Sequence, residues 1–193
     1  MIPAGKEETK GERMAHVKKR LMVTIDPSLC LGCRTCELQC ALAHSEGGDL
    51  MSVIRSGEKP GHRVSVESHE GLPVPLHCQH CEEPACVLAC PTGAIGRLAD
   101  GAPVLVDDAR CIGCKMCVQA CPFGVITVNT NGKGVLKCDL CIERLAKGLE
   151  PACVASCPTK ALALREVGET GREKRKKLAA QLVEAGKAAA KES

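Results

Sequence analysis

Four cysteines within eleven residues are the part of the sequence best suited to chemistry. Cys111, Cys114, Cys117 and Cys121 follow the spacing C-x2-C-x2-C-x3-C, and Pro122 comes directly after them. Two-residue gaps let a tightly wound chain direct three thiolates at one metal cluster, and the fourth thiolate reaches a second cluster. Proline fixes φ and stops a helix from continuing, which turns that fourth sulfur away. The stretch predicts cubane iron–sulfur clusters rather than zinc, whose sites usually have separated CxxC pairs.

The other cysteines form three groups with related spacing. The first group repeats C-x2-C-x2-C-x3-C and consists of Cys30, Cys33, Cys36 and Cys40. The second has the spacing C-x2-C-x4-C-x3-C and consists of Cys78, Cys81, Cys86 and Cys90. The last has the spacing C-x2-C-x11-C-x3-C and consists of Cys138, Cys141, Cys153 and Cys157. Sixteen cysteines thus divide into four groups of four with none left over, so we predict that all of them are cofactor ligands.

The composition supports a small protein stabilised by metal. The chain has 193 residues, no Tyr or Trp and a single Phe, Phe123. A core with so few large side chains needs disulfides or metal, and disulfides require an oxidising compartment. Residues 1–20 show no apolar signal region and no twin-arginine pair, and no run reaches transmembrane length. We therefore expect a cytoplasmic, metal-bound protein, which could also lie peripherally on a membrane complex through a partner.

The formal net charge of +3 is not an argument for nucleic-acid binding. Bound clusters would add negative charge of their own. The basic stretch Arg172–Lys177 has no aromatic side chain beside it on which a base could stack. We predict a basic C-terminal helix that is either solvated or docks on an acidic partner.

The pattern outside the cysteines predicts an α+β fold with little regular secondary structure. Strands are expected at 21–25 and 103–107, and an exposed hairpin strand at 63–67 within a surface insert, 45–75. Asn131–Gly132 is a strong hairpin-turn signal, and 140–149 is a candidate helix. A strand, an aspartate and a four-cysteine run recur, which indicates an internal repeat.

The four cysteine runs resemble those of the four-cluster ferredoxin-like electron-transfer subunits over residues 21–165. These subunits partner molybdopterin oxidoreductases such as dimethyl sulfoxide reductase and formate dehydrogenase, hydrogenases, and carbon monoxide dehydrogenase. The phrases at 36–44, 113–118 and 137–144 look most like the ferredoxin-like proteins of carbon monoxide dehydrogenase. The resemblance implies short hairpins and short helices around four 4Fe–4S clusters.

The resemblance also implies which cysteines share a cluster. Three ligands would come from one run and the fourth from another. In the first two clusters, Cys30, Cys33 and Cys36 would share one cluster with Cys157, and Cys138, Cys141 and Cys153 would share the other with Cys40. In the remaining two clusters, Cys78, Cys81 and Cys86 would share one cluster with Cys121, and Cys111, Cys114 and Cys117 would share the other with Cys90.

Such pairing implies two dicluster ferredoxin modules, one inserted into the other. The outer module would comprise 21–61 and 135–165, and the inner module 62–134. Residues 1–20 would be a flexible extension and 166–193 a basic helical tail.

The resemblance implies an electron carrier and not an enzyme. Its expected partners are carbon monoxide dehydrogenase, a hydrogenase, a formate dehydrogenase or a flavin oxidoreductase, with no nucleic acid and no direct membrane span. Arg34 and Lys115 stand between ligands and should favour the more negative, reduced cluster, unless they are solvated surface charges. His44, His77 and His80 are either structural polar residues or groups that tune a cluster. A multi-zinc scaffold and a disulfide-stapled secreted domain are the alternatives.

Overall fold

The computed structural model describes residues 20–129 and 132–189, and within them the chain forms eight short strands and seven helices. The strands are β1 Leu21–Ile25, β2 Val64–His69, β3 Leu72–His77, β4 Ile95–Gly96, β5 Leu105–Val106, β6 Thr127–Val128, β7 Val135–Leu136 and β8 Leu162–Glu166. The helices are α1 Thr35–Ala43, α2 Leu50–Ser56, α3 Ala85–Leu88, α4 Met116–Ala120, α5 Ile142–Ala146, α6 Ala152–Ala155 and α7 Val167–Ala189. A 3-10 turn, Pro27–Leu29, follows β1. The predicted α+β class is confirmed at this level.

All sheets among the described residues have two antiparallel strands. β1 has the bounds expected from its β-branched residues and pairs with β8 near the other end of the chain, with Leu21 opposite Glu166 and Ile25 opposite Leu162. This pairing brings the first and last cysteine runs together.

The hairpin β2–β3 corrects one expectation from the sequence. Its turn is Glu70–Gly71, and both residues have positive φ, as a tight two-residue hairpin requires. A strand is present close to the predicted bounds 63–67, but only its second half, from Glu67 to His69, is exposed. Val64 and Val66 are buried and pack in the main core, so the idea that 45–75 is only a surface insert was wrong.

The remaining strand pairs are minimal. β5 contains only Leu105 and Val106, which is shorter than the predicted strand at 103–107, and it pairs with β4. β6 pairs with β7, and the predicted turn residue Asn131 between them lies outside the described residues. Strand pairs this short have little stability of their own, because isolated two-stranded hairpins are marginal in water.

Two positions in the chain share the same local geometry. The Asp26 N–H donates to the Ala161 carbonyl at 2.8 Å, and the Asp107 N–H donates to the Ala94 carbonyl at 2.7 Å. Each aspartate side chain also accepts a hydrogen bond from the backbone two residues later, at 3.1 Å. Each such turn leads directly into a cysteine run.

Three clusters of buried residues form the core among the described residues, and cysteines are members of the two larger ones. The first joins β1, α1, β2 and β8; its members are Val23, Cys36, Cys40, Val64, Val66, Leu140, Cys153, Val154 and Leu162. The second lies around the short strands; its members are Cys86, Ile95, Val104, Cys117, Ile126 and Val135. The side chains that should bind metal are thus packed with the aliphatic residues.

The helices differ in length from expectation at one place. The candidate helix at 140–149 is reduced to α5, Ile142–Ala146, because Leu140 and Cys141 before it and Gly148 after it have positive φ. The predicted C-terminal helix is present as α7. No helix within 20–129 and 132–189 is long and apolar enough to cross a membrane. The predicted flexible extension falls on residues outside the described ranges, apart from Arg20.

Replacing Leu162 by alanine should lower stability by about 2–5 kcal/mol. Leu162 is only 1% exposed and packs in the first core cluster, so its removal leaves a cavity. Thermal unfolding followed by circular dichroism measures the effect. Leu178→Ala on α7, where the side chain is 56% exposed, is the control and should change Tm little. Equal Tm values for both variants would contradict the packing role of Leu162.

Candidate metal centres

Four thiols border a cavity beside the β1–β8 pair. Cys30 directly follows the 3-10 turn, Cys36 is the second residue of α1, and Cys157 follows α6. Two remote stretches therefore supply one set of sulfurs. We call this group the outer terminal site; it consists of Cys30, Cys33, Cys36 and Cys157.

Two more cavities each have four cysteines in their walls. α3 and α4 pack against each other between these cavities, and each helix leads from a residue of one group to a residue of the other. We call the first the inner central site; it consists of Cys78, Cys81, Cys86 and Cys121. We call the second the inner terminal site; it consists of Cys90, Cys111, Cys114 and Cys117.

The remaining cysteines lie close enough for their charges to interact. The thiol of Cys153 interacts with those of Cys141 and Cys40 and also with Cys36 of the outer terminal site. Cys138 interacts with Cys153 and also with Cys78 of the inner central site. The helices that carry Cys40 and Cys153, α1 and α6, are in contact. We call this group the outer central site; it consists of Cys40, Cys138, Cys141 and Cys153.

Three of the four sets of cysteines that the family resemblance implies thus border one cavity each, and the grouping of the fourth set, the outer central site, stays a prediction. Each set combines three residues of one run with one residue of another. No two of the sixteen cysteines, all within the described residues, are joined by a disulfide. The binding of iron by these thiols stays a prediction, and the fit of the sites to it rests on the following contacts.

Burial raises the pKa of several of these thiols. It raises the pKa of Cys36 and of Cys141 to about 11, and it raises the pKa of Cys153 further. Such groups stay protonated at neutral pH unless a cation binds the thiolate. For Cys157 burial acts in the same direction, but hydrogen bonding from the Leu162 N–H and the Thr159 side chain brings its pKa below the usual value. Both environments suit thiolates that have iron as their counter-charge.

Backbone N–H groups also donate hydrogen bonds to three other sulfurs. His80 N donates to Cys78 Sγ at 3.4 Å, and Leu140 N donates to Cys138 Sγ at the same distance. Arg63 N donates to Cys40 Sγ at 3.3 Å. His80 and Leu140 both have positive φ, as do Gly32 and Gly113 at the corresponding places in the other two runs. All four runs therefore make the same tight turn after their first cysteine. N–H donors of this kind stabilise negative charge on cluster sulfur.

His80 carries an unpaired donor beside the inner central site. The Val104 N–H donates to His80 Nδ1 at 3.0 Å, so the ring proton is on Nε2. That Nε2 is buried and has no hydrogen-bond partner among the described residues. Burial, and next the charge of Lys137, put the pKa of His80 well below its usual value, so the ring stays neutral. A buried N–H next to four thiols fits a group that offers sulfur acceptors, as a 4Fe–4S cluster does.

His44 connects the first cysteine run with the last through hydrogen bonds. Its Nδ1 is 2.6 Å from the Cys40 carbonyl oxygen, and its Nε2 is 3.2 Å from Asp139 Oδ1. His44, Asp139 and Cys141 also form a trio whose ligand atoms lie within 4.8 Å of one another. Because Cys141 belongs to the outer central site, we assign the trio to the surroundings of that site. His77 is buried, and its Nδ1 is 2.9 Å from the Cys78 carbonyl oxygen.

Comparison with known families agrees with the chemistry of the sites. The family model for 4Fe-4S dicluster domains matches residues 70–167, and a second model, for a 4Fe-4S binding domain, matches 27–43. The first match covers three of the four cysteine runs, and the second contains the remaining run. These matches favour iron–sulfur clusters over the zinc and disulfide alternatives.

Relatives with named roles are electron-transfer proteins. An iron-sulfur protein of Rhodospirillum rubrum is 43% identical over 77% of this chain and 84% of its own length. One subunit of the anaerobic dimethyl sulfoxide reductase of Escherichia coli is 39% identical over 75% of this chain and 73% of its own length. Thiosulfate reductase electron transfer subunit PhsB of Salmonella typhi is 38% identical over 81% of both proteins. The chain belongs to the 4Fe-4S dicluster family of ferredoxin-like iron–sulfur proteins, whose members transfer electrons and are not themselves the catalytic enzymes.

Proposed function

We propose that the chain is an electron-transfer subunit that holds four 4Fe–4S clusters, one in each of the four sites defined above. The observation that carries this proposal is the grouping of all sixteen cysteines into four sets of four. A cubane cluster with a thiolate at every iron has no open position for substrate, so its chemistry is the gain or loss of one electron. The residues of each site serve to hold the cluster, to exclude water and to tune its potential.

The order of the sites supports a linear path for electrons. Within each module, neighbouring sites are linked by cysteines one helical turn apart, such as Cys36 and Cys40 on α1, a rise of about 6 Å. Between the modules, Cys138 of the outer central site interacts electrostatically with Cys78 of the inner central site. We therefore propose the order outer terminal, outer central, inner central, inner terminal. Cys33 and Cys114 are exposed, which favours the two terminal sites as the points where electrons enter and leave.

We also propose that two dicluster modules are nested, with 62–134 inserted between 21–61 and 135–165. The matching turns at Asp26 and Asp107 support a duplication. The hairpin β2–β3 belongs by sequence to the inserted module but contacts α1 of the outer one. This hairpin therefore fixes the position of one module on the other.

The partner we propose is the catalytic subunit of an oxidoreductase complex. The relatives named for an enzyme belong to dimethyl sulfoxide reductase and thiosulfate reductase, which favours a molybdopterin oxidoreductase of that kind. The carbon monoxide dehydrogenase partner expected from the sequence has no support among the relatives reported above. Hydrogenase, formate dehydrogenase and flavin oxidoreductase partners, and a cytoplasmic location, stay predictions. Capture of tagged protein under strict anaerobiosis, followed by mass spectrometry, identifies the partner; recovery of carbon monoxide dehydrogenase alone would reverse the preference for a molybdopterin enzyme.

Protein purified without oxygen should be brown and should contain about sixteen iron atoms and as many inorganic sulfides per chain. Each of the four sites accounts for about a quarter of this iron and sulfide. Iron and acid-labile sulfide assays measure it, and electron paramagnetic resonance of the reduced protein should show interacting clusters. A colourless protein with zinc and no inorganic sulfide would contradict the proposal, and a content near twelve irons would leave one quartet without its cluster.

A further inference from the structure

A buried lysine lies at the junction of the two central sites. Lys137 follows β7 and precedes Cys138, and it is only 4% exposed. Its ammonium group donates hydrogen bonds to the Val104 carbonyl at 2.5 Å and to the Cys138 carbonyl at 3.1 Å. Its side chain also borders the cavity of the inner central site. Lys137 therefore touches the inner module, the outer module and one proposed cluster cavity.

The charge of Lys137 has no carboxylate partner within the described parts of the chain, since none of the ion pairs found there includes it. Burying an ammonium group is costly unless it is paired, and two neutral carbonyls compensate only in part. The nearby groups that can carry negative charge are the thiols of the inner central site. Lys137 lines the same cavity as these four thiols, so its ammonium group can act on them electrostatically.

The cations predicted from the sequence are placed differently. Arg34 has a side chain that is 63% exposed, and it pairs with Glu37 at 3.3 Å. Lys115 borders the inner terminal site, but it is exposed. Water and salt screen exposed charges strongly and buried charges much less. Of these three cations, Lys137 should have the largest effect on a cluster.

We propose that Lys137 sets the reduction potential of the inner central cluster by holding a positive charge against it. Reduction adds one electron to a cluster with four thiolates, breaks no bond and moves no proton. Lys137 attracts the reduced form more strongly because that form is more negative by one charge. Lys137 therefore raises the reduction potential of this cluster. An electron on the path is then more stable on the inner central cluster than it would be without the charge. This inference depends on the ligand sets proposed above.

The test is a redox titration of the full-length holoprotein, followed by electron paramagnetic resonance with chemical mediators under argon. Lys137→Met removes the charge and keeps most of the side-chain volume. It should move one of the four midpoint potentials to a more negative value and leave iron and sulfide contents unchanged. Lys137→Arg, which keeps the charge, should leave that potential close to its value in the unsubstituted protein. Lys176→Met, which removes one charge from the exposed surface of α7, is the matched control and should move none of them.

The signal that moves is assigned with Cys81→Ser, which alters a proposed ligand of the inner central site. The signal changed by Cys81→Ser and the signal shifted by Lys137→Met should be the same. Unchanged potentials in a fully loaded Lys137→Met protein would overturn the proposal for Lys137, as would an equal shift in Lys137→Arg. If Lys137→Met loses its cluster, Lys137→Gln provides the comparison, since it keeps a donor for the Val104 carbonyl and lacks the charge. A Cys81→Ser protein with unaltered clusters would instead refute the ligand assignment.

Discussion

Replacing Cys121 by serine should remove or alter the inner central cluster and leave the inner terminal cluster intact. In sequence, Cys121 belongs to the run that begins at Cys111. In the structure it borders the cavity of Cys78, Cys81 and Cys86. It lies at the C-terminal end of α4, whereas the other members of its run lie within that helix or before it. Loss of one ligand should therefore reduce iron and sulfide by up to about a quarter, because one cubane of four is affected.

Double variants make this test independent of how much a single serine weakens binding. Cys78→Ser with Cys121→Ser affects one site, so its loss should not exceed about a quarter of the iron. Cys117→Ser with Cys121→Ser affects two sites, so its loss should reach up to about half. Iron, sulfide and the resonance spectra measure the difference. If the first pair lost about half of the iron and the second about a quarter, each run would hold its own cluster and the crossed assignment would be wrong.

Removing the iron with a strong chelator should unfold most of the chain. The β4–β5 and β6–β7 pairs have two residues in each strand, and α3 and α6 have four residues each. Elements this short need tertiary support. The two larger core clusters contain cysteines that would face an empty cavity once the iron is removed. Metal binding therefore supplies much of the folding free energy.

Far-ultraviolet circular dichroism before and after anaerobic chelation measures this loss. We expect the signal of the strands and short helices to disappear. Readdition of iron and sulfide with a reducing agent should restore the signal, which separates cluster loss from irreversible aggregation. A chelated protein with the spectrum and Tm of the loaded one would show that the apolar core is sufficient by itself.

The cysteine spacing allowed much of the site to be predicted, because the chemistry of a cubane restricts the spacing of its ligands. The strand β1 also followed from a local pattern. The crossed sets of four came from the family resemblance, since spacing alone does not determine which fourth cysteine joins a run. In the structure three of these sets each border one cavity, and the runs meet through the contacts of α1 with α6 and of α3 with α4.

Other features depend on contacts between distant residues and have no local signal. Val64 and Val66 alternate with polar residues, which equally suits a strand on the surface and one with a buried face. Burial was decided by α1, which packs on that face. Lys137 lies in a segment already noted for its cysteines, but a lysine in the sequence gives no indication that the carbonyl of Val104, 33 positions away, accepts a hydrogen bond from it. The same holds for His80, whose tautomer depends on the Val104 N–H.

The pairing of β1 with β8 has a consequence for how the protein is made. Cys157 is the last cysteine to leave the ribosome, and its partners in the outer terminal site are the first three. The proposed ligands of the inner sites end at Cys121, and the last residue that lines their cavities is Lys137, so their cofactors can be inserted before Cys157 is synthesised. The nascent polypeptide should therefore mature from its middle outward, with the ends closing last, and a product that terminates between Lys137 and Cys157 would still contain a finished centre.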